Sequence, residues 1–209
     1  ISPRAMRNGI IVTVLFACLI GSALLFYAGW ELIIVGLLCV LFAFLYTTGP
    51  YPLSYNGWGD VLVIVFFGFV PVGGTYYVQA LTWTSDTTVA SLICGLLIDT
   101  LLVVNNYRDR EADARSGKRT VIVRFGEKFG RYLYLMLGVA ASLLCFWFFF
   151  EGHLFAALLP LLYLIPHVLT WRRMVQIHSG KKLNSILGET SRNMLLMGIL
   201  LSIGFLIRH

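Results

Sequence analysis

The sequence is short of charge. Lys, Arg, Asp and Glu make up 12% of its 209 residues, against about 25% in an ordinary soluble domain. That excludes a soluble globular domain of this length. Recognisable nucleotide and hydrolase signatures are also absent: no Walker loop, dinucleotide-binding fingerprint, G-x-S-x-G or H-E-x-x-H occurs. The four cysteines, Cys18, Cys39, Cys94 and Cys145, form no C-x-x-C and have no histidine at ligand spacing, so neither zinc nor a disulfide framework is supported. The histidines His153, His167, His178 and His209 are scattered and suggest no site. Heptads, short repeats and low-complexity tracts are missing too. So is any basic surface interleaved with aromatics, and the net charge of +6 therefore does not imply nucleic acid.

What is present is apolar. Hydrophobic residues reach 58% and the mean hydropathy is +0.82, values of a polytopic membrane protein. Apolar runs predict seven spans over residues 10–28, 32–46, 61–81, 87–106, 132–150, 154–171 and 191–207. The fold class that follows is all-α, a transmembrane helical bundle occupying residues 1–209 as a single domain. The first run, preceded by Arg4 and Arg7, imitates a signal peptide. With so many spans behind it, it reads as a retained helix. Alternation puts every Lys and Arg except Arg208 on one side, which the positive-inside rule makes the cytoplasmic side.

The chain is organised around Asn105–Thr120, where two amides, three acids and five bases follow directly on an apolar segment. On one helix at 100° per residue, Asn106, Asp113 and Asp109 lie at about −20°, −40° and −80° from Asp99. The polar groups therefore share a face that begins inside the membrane. Asp109 and Asp113 are one turn apart, and two carboxylates so placed repel unless a cation intervenes. Two readings stay open. In one, this is a solvated helix end with Arg108, Arg110 and Arg115 pairing Asp109, Glu111 and Asp113. In the other, Asp109 and Asp113 hold Mg²⁺ with water and phosphate completing its shell, and Lys118 and Arg119 pair phosphate.

A second stretch, Tyr46–Asp60, is broken by Gly49, Pro50, Pro52, Gly57 and Gly59 and reads as a loop. Its aromatics are either an interfacial belt or, with Asp60, the lining of a substrate mouth. By the alternation above, both stretches face one compartment.

At Asn105–Thr120 the sequence resembles the second aspartate-rich motif of the UbiA superfamily of intramembrane aromatic prenyltransferases. The form Asn-Asn-x-Arg-Asp-x-Glu-x-Asp-x-x-x-Gly-Lys-Arg-Thr is similar to its menaquinone branch, which prenylates 1,4-dihydroxy-2-naphthoate. The Tyr46–Asp60 loop and Gly74–Gln79 resemble the same branch. The family's first acidic motif has no counterpart here, and Ile1-Ser2-Pro3 resembles the sequence just beyond it. Seven spans against the family's nine lead to the expectation of a chain lacking its amino-terminal part.

The resemblance implies Mg²⁺-dependent transfer of a polyprenyl group from polyprenyl diphosphate to 1,4-dihydroxy-2-naphthoate. Demethylmenaquinone, diphosphate and CO₂ would be the products, made at the cytoplasmic face of a bacterial inner membrane with membrane lipid around the bundle. It implies Asp109 and Asp113 as metal ligands, and Asn105, Asn106, Arg108, Lys118 and Arg119 on the diphosphate. Tyr51, Tyr55, Tyr76 and Tyr77 would face the substrate, and Asp60 would orient or deprotonate the acceptor. Other branches of the superfamily (ubiquinone, chlorophyll, haem O) and an acid-lined transporter are the alternatives.

Overall fold

A computed structural model describes residues 1–207; Arg208 and His209 lie outside the described residues. Those residues form helices and no strand. Seven helices follow in order: α1 (Pro3–Phe26), α2 (Glu31–Thr47), α3 (Gly59–Ala80), α4 (Ser85–Arg115), α5 (Val121–Phe150), α6 (Leu154–Ile177) and α7 (Lys181–Leu206). Six are long and apolar enough to cross a membrane. The seventh, α2, is apolar but only 17 residues long. The chain is an integral membrane protein of the all-α class.

Helix ends differ from the sequence expectation. The charged region does not run as a loop to Arg131. Helix α4 continues to Arg115, and α5 begins at Val121, capped by Thr120 Oγ1 on the Val123 amide at 3.3 Å. Arg124 thus lies in a first helical turn and Lys128 and Arg131 in the helix that resumes after a break at Gly126 (φ 87°, ψ 173°), and the connecting loop shrinks to residues 116–120. Arg172–Ile177 and Asn184–Thr190 are likewise helical. Helix α4, with 31 residues, is about 46 Å long against about 30 Å of hydrocarbon. Its charged carboxyl-terminal turns therefore stand clear of the apolar layer.

Helices α3 and α4 form the antiparallel pair at the heart of the bundle, and their backbones touch. A Cβ on Gly68 would lie 2.5 Å from the Ser91 carbonyl oxygen and 2.8 Å from Gly95 Cα; one on Gly95 would lie 2.9 Å from the Ile64 carbonyl oxygen. Small residues at such a crossing let membrane helices approach closely. Between Ile64 and Gly73 the backbone of α3 widens into π-type turns around Pro71, whose ring removes one amide donor.

Two buried clusters fill the remainder. One gathers Val103, Val104, Tyr107, Ile122, Tyr134 and Met174 near the charged end; the other gathers Ile93, Leu97, Ala141, Phe148, Tyr163 and Met197 toward the opposite end. Between them His167 is stacked on Tyr134 and Tyr163, with ring centroids 4.7 and 5.0 Å away. Its Nδ1 meets the Tyr163 hydroxyl at 2.9 Å and its Nε2 lies 3.2 Å from the Leu135 carbonyl. A Cβ on Gly138 would collide with that ring, which the two tyrosines hold in place. Gly138→Ala is expected to cost roughly 1–3 kcal/mol as an overpacking change, read as a lower thermal unfolding midpoint in detergent. By contrast, no residue of α1 or α2 is buried.

Candidate functional site

Helix α4 emerges from the bundle carrying Asn105, Asn106, Arg108, Asp109 and Asp113. The Arg108 guanidinium organises this end. Its Nε and Nη2 donate to the two Asp109 carboxylate oxygens at 2.7 and 2.6 Å, and Nη2 also donates to Asn105 Oδ1 at 2.7 Å. Nη1 reaches across to Asn184 Oδ1 at the start of α7, 2.9 Å away. Bidentate pairs of this kind are the strong ones, and the Arg108 hydrogen bond holds the Asp109 carboxyl below its ordinary range.

Asp113 is held differently. Its Oδ2 is buried with no hydrogen-bond partner, and the Lys118 ammonium stands 3.4 Å off as an ion pair. A buried carboxylate oxygen with an open lone pair is costly unless something fills it. Asn106, on the same face one and a half to two turns deeper, is 4% exposed.

Of the charge pairs expected for a solvated helix end, Arg108–Asp109 forms, but Arg110 turns away to Glu127 at 3.1 Å. Glu127 also takes Arg131, and accepts from the Tyr107 hydroxyl at 3.2 Å. That network ties α4 to α5, and Arg110 extends it to the His178 carbonyl at 3.1 Å.

The two stretches singled out by sequence meet. The Arg119 amide donates to the Tyr55 carbonyl at 2.7 Å, and Arg124 Nη2 donates to the Asn56 carbonyl at 2.8 Å. Tyr51 and Tyr55 are exposed on this loop. Asp60 follows in the first turn of α3, half-buried, with Oδ1 unpartnered. Tyr76 and Tyr77 are not brought to this place. They lie on the last two turns of α3, and the antiparallel α3–α4 pairing puts them at the opposite end of the bundle from Asp109 and Asp113. Asn184 and Arg124 belong to the site region although neither stretch singled out by sequence contains them. Each enters through a contact with a distant segment.

Among the described residues no group of three His, Cys, Asp or Glu side chains converges as a metal site. The acid pair suits an ion that needs few protein ligands. Mg²⁺ usually keeps several waters and takes one or two carboxylates plus substrate phosphates. Asp113 Oδ2, which takes no hydrogen bond and has only the Lys118 ammonium at 3.4 Å, fits such an ion more readily than Asp109, whose two oxygens are clasped by Arg108.

The model of the UbiA prenyltransferase family matches residues 1–203. A Haemophilus influenzae protein named 1,4-dihydroxy-2-naphthoate octaprenyltransferase is 36% identical over 99% of this chain and 70% of its own length. Its Escherichia coli namesake is 38% identical over 69% of the chain and 49% of its own length. The UbiA prenyltransferase domain-containing protein 1 of Dictyostelium discoideum is 30% identical over 78% of the chain and 48% of its own length. The chain thus spans about half to 70% of these relatives. No solved structure matches it.

Proposed function

The chain belongs to the UbiA prenyltransferase family, and from that premise we propose that it transfers a polyprenyl group from polyprenyl diphosphate to 1,4-dihydroxy-2-naphthoate. The products are demethylmenaquinol (the hydroquinone form of demethylmenaquinone), diphosphate and CO₂. The observation that carries this reading is the exposed polar end of α4, where a carboxylate with an open lone pair, a lysine and an arginine fork lie beside an aromatic loop.

Cleaving an allylic diphosphate in an apolar cavity separates charges that would each cost on the order of 20 kcal/mol if left bare. Lys118, Arg119 and the Arg108 fork are the groups that bind and orient the diphosphate, with Asn105 and Asn106 offering amide donors to its oxygens. Mg²⁺, held by Asp113 and Asp109, would neutralise charge on the leaving group when bound. The faces of Tyr51 and Tyr55 suit the allylic cation, and Asp60 is placed to orient the acceptor or take its proton. The apolar spans house the isoprenoid and exclude water that would quench the cation. Tyr76 and Tyr77 sit where the far end of a long prenyl chain would reach, away from the reacting carbon. The positive-inside distribution of Lys and Arg supports a cytoplasmic face for the reaction, and the bacterial relatives support the inner membrane.

The test is prenyl transfer by the purified full chain in lipid, with one polyprenyl diphosphate and a panel of aromatic acids. The expected result is a prenylated, decarboxylated product from dihydroxynaphthoate, formed only with a divalent ion. A preference for 4-hydroxybenzoate, or undiminished turnover in excess chelator, would overturn the assignment. Lys118→Ala should raise the KM for the prenyl donor about tenfold or more while leaving the acceptor KM close to wild type. A donor KM that does not move removes Lys118 from the diphosphate.

A further inference from the structure

Asp99 lies in the middle of α4 and is 1% exposed, with Oδ1 meeting no hydrogen-bond partner. Asp60, on the facing turn of α3, also has an unpartnered Oδ1. In the antiparallel crossing Gly68 packs on Ser91 and Gly95, and Gly95 on Ile64, a register that one turn further on brings Asp60 opposite Asp99. A Cβ on Gly59 would stand 3.6 Å from the Tyr46 hydroxyl and 3.3 Å from Leu102 Cδ2, which fixes the three elements at one point. Neither Asp60 nor Asp99 joins an ion pair among the described residues. Asp99 stands ten residues before Asp109 along the same helix, about 15 Å, so the pair lies deeper in the bundle than the metal-binding carboxylates, on the side from which an acceptor would approach the prenyl carbon.

Two facing carboxyls without a counter-ion, one of them enclosed, disfavour a second negative charge. The polar face of α4 leads from them through Asn106 to Asp113, so the centre is the deep end of one polar file. Asp60 is half-buried and so can meet a ligand, while Asp99 is enclosed behind it. We propose that Asp60 and Asp99 share one proton, and that this dyad is the base that receives the hydroxyl proton of the aromatic acceptor, with Asp99 as the positioning residue. This rests on the prenyl-transfer reading above.

The step balances. As the ring carbon bearing the carboxylate bonds to prenyl C1, the C–O bond to diphosphate breaks and its electron pair leaves with diphosphate. The acceptor O–H proton passes to Asp60, its bonding pair becoming the ring carbonyl. When CO₂ departs, the electron pair of its C–C bond restores the aromatic ring. The ring oxygen then takes the proton back from the dyad, which returns to its singly protonated form.

The experiment compares Asp99→Asn, Asp99→Leu and Asp60→Asn in the full chain in lipid, measuring acceptor kcat/KM against pH and donor KM. A dyad that works with one proton gives wild type a bell-shaped profile, its basic limb marking loss of the shared proton. Asp99→Asn keeps a hydrogen-bonding neighbour but cannot ionise. It should lose the basic limb and fall about 3–10-fold, whereas Asp99→Leu and Asp60→Asn should fall by about 10²-fold or more. Donor KM should hold in all three. Equal losses in the two Asp99 variants with both pH limbs in place would overturn the proposal, as would full activity in Asp99→Leu.

Infrared difference spectra of the protein in lipid, titrated without substrate, separate this idea from the prenyl-transfer reading. A protonated-carboxyl band that disappears in both Asp60→Asn and Asp99→Asn is expected even if the acceptor is another aromatic acid. Absence of that band in wild type sinks the dyad while leaving prenyl transfer standing.

Discussion

Asp113→Asn should lower prenyl transfer by about 10²–10³-fold, the range seen when one preorganised electrostatic group is removed from a reacting centre. The substitution preserves volume, so the helix end should stay folded. What changes is the charge and one open lone pair. Asp113 Oδ2 is buried, takes no hydrogen bond, and faces the Lys118 ammonium at 3.4 Å. An amide there repels nothing but no longer attracts either a cation or Lys118. The loss should fall on kcat and on dependence on divalent ion, with an unchanged unfolding midpoint as the control. Wild-type turnover in Asp113→Asn would take this carboxylate out of the metal role. Asp109→Asn is a sharper comparison than spacing alone suggested, because that carboxylate is already clasped by Arg108 at 2.6 and 2.7 Å.

The second large effect is on the α3–α4 crossing. Gly95→Val would put a Cβ 2.9 Å from the Ile64 carbonyl oxygen and 3.0 Å from Ile64 Cα, with two further methyls beyond it. Those contacts are backbone and cannot step aside as a side-chain end would, so the helices must separate. Overpacking of this kind costs typically 1–3 kcal/mol, occasionally more. Gly95 is one turn from Asp99, and Ile64 is one turn from Asp60. The variant should therefore lose acceptor kcat/KM as well as stability, both measurable on one detergent-purified sample. Gly36→Ala on α2, where a Cβ meets nothing within 4 Å, is the matched control and should change neither.

The continuous helix through Asp99 and Asp113 was legible because 100° arithmetic puts scattered polar residues on one face, and the observed α4 keeps them there. Counting spans and charges put the Tyr46–Asp60 loop and the charged stretch on one side, while their contact through Tyr55 and Asn56 is a tertiary feature. Other parts were hidden for physical reasons. Charges at Arg124–Arg131 read as loop because charge is so rare elsewhere, yet they sit on a helix whose carboxylate partner, Glu127, lies on that same helix. Asn184 reaches the site across 76 residues of chain, a separation that no local pattern reports. Tyr76 and Tyr77 sit in a recognisable stretch, but a motif carries no depth. The span 61–81 already puts them near its far end, and the antiparallel crossing of α3 and α4 keeps them there, away from Asp109 and Asp113.

The over-wide stretch of α3 from Ile64 to Gly73 acts as a phase shifter between the two ends of one helix. Wide turns advance the chain around its axis by less per residue than ordinary α turns do. The compass bearing of Asp60 relative to Tyr76 and Tyr77 therefore depends on how many residues the stretch contains more than on which apolar side chains it carries. Exchanges among Val, Phe and Ile there leave the bearing alone, whereas removing one residue swings Asp60 away from Asp99 without touching either aspartate.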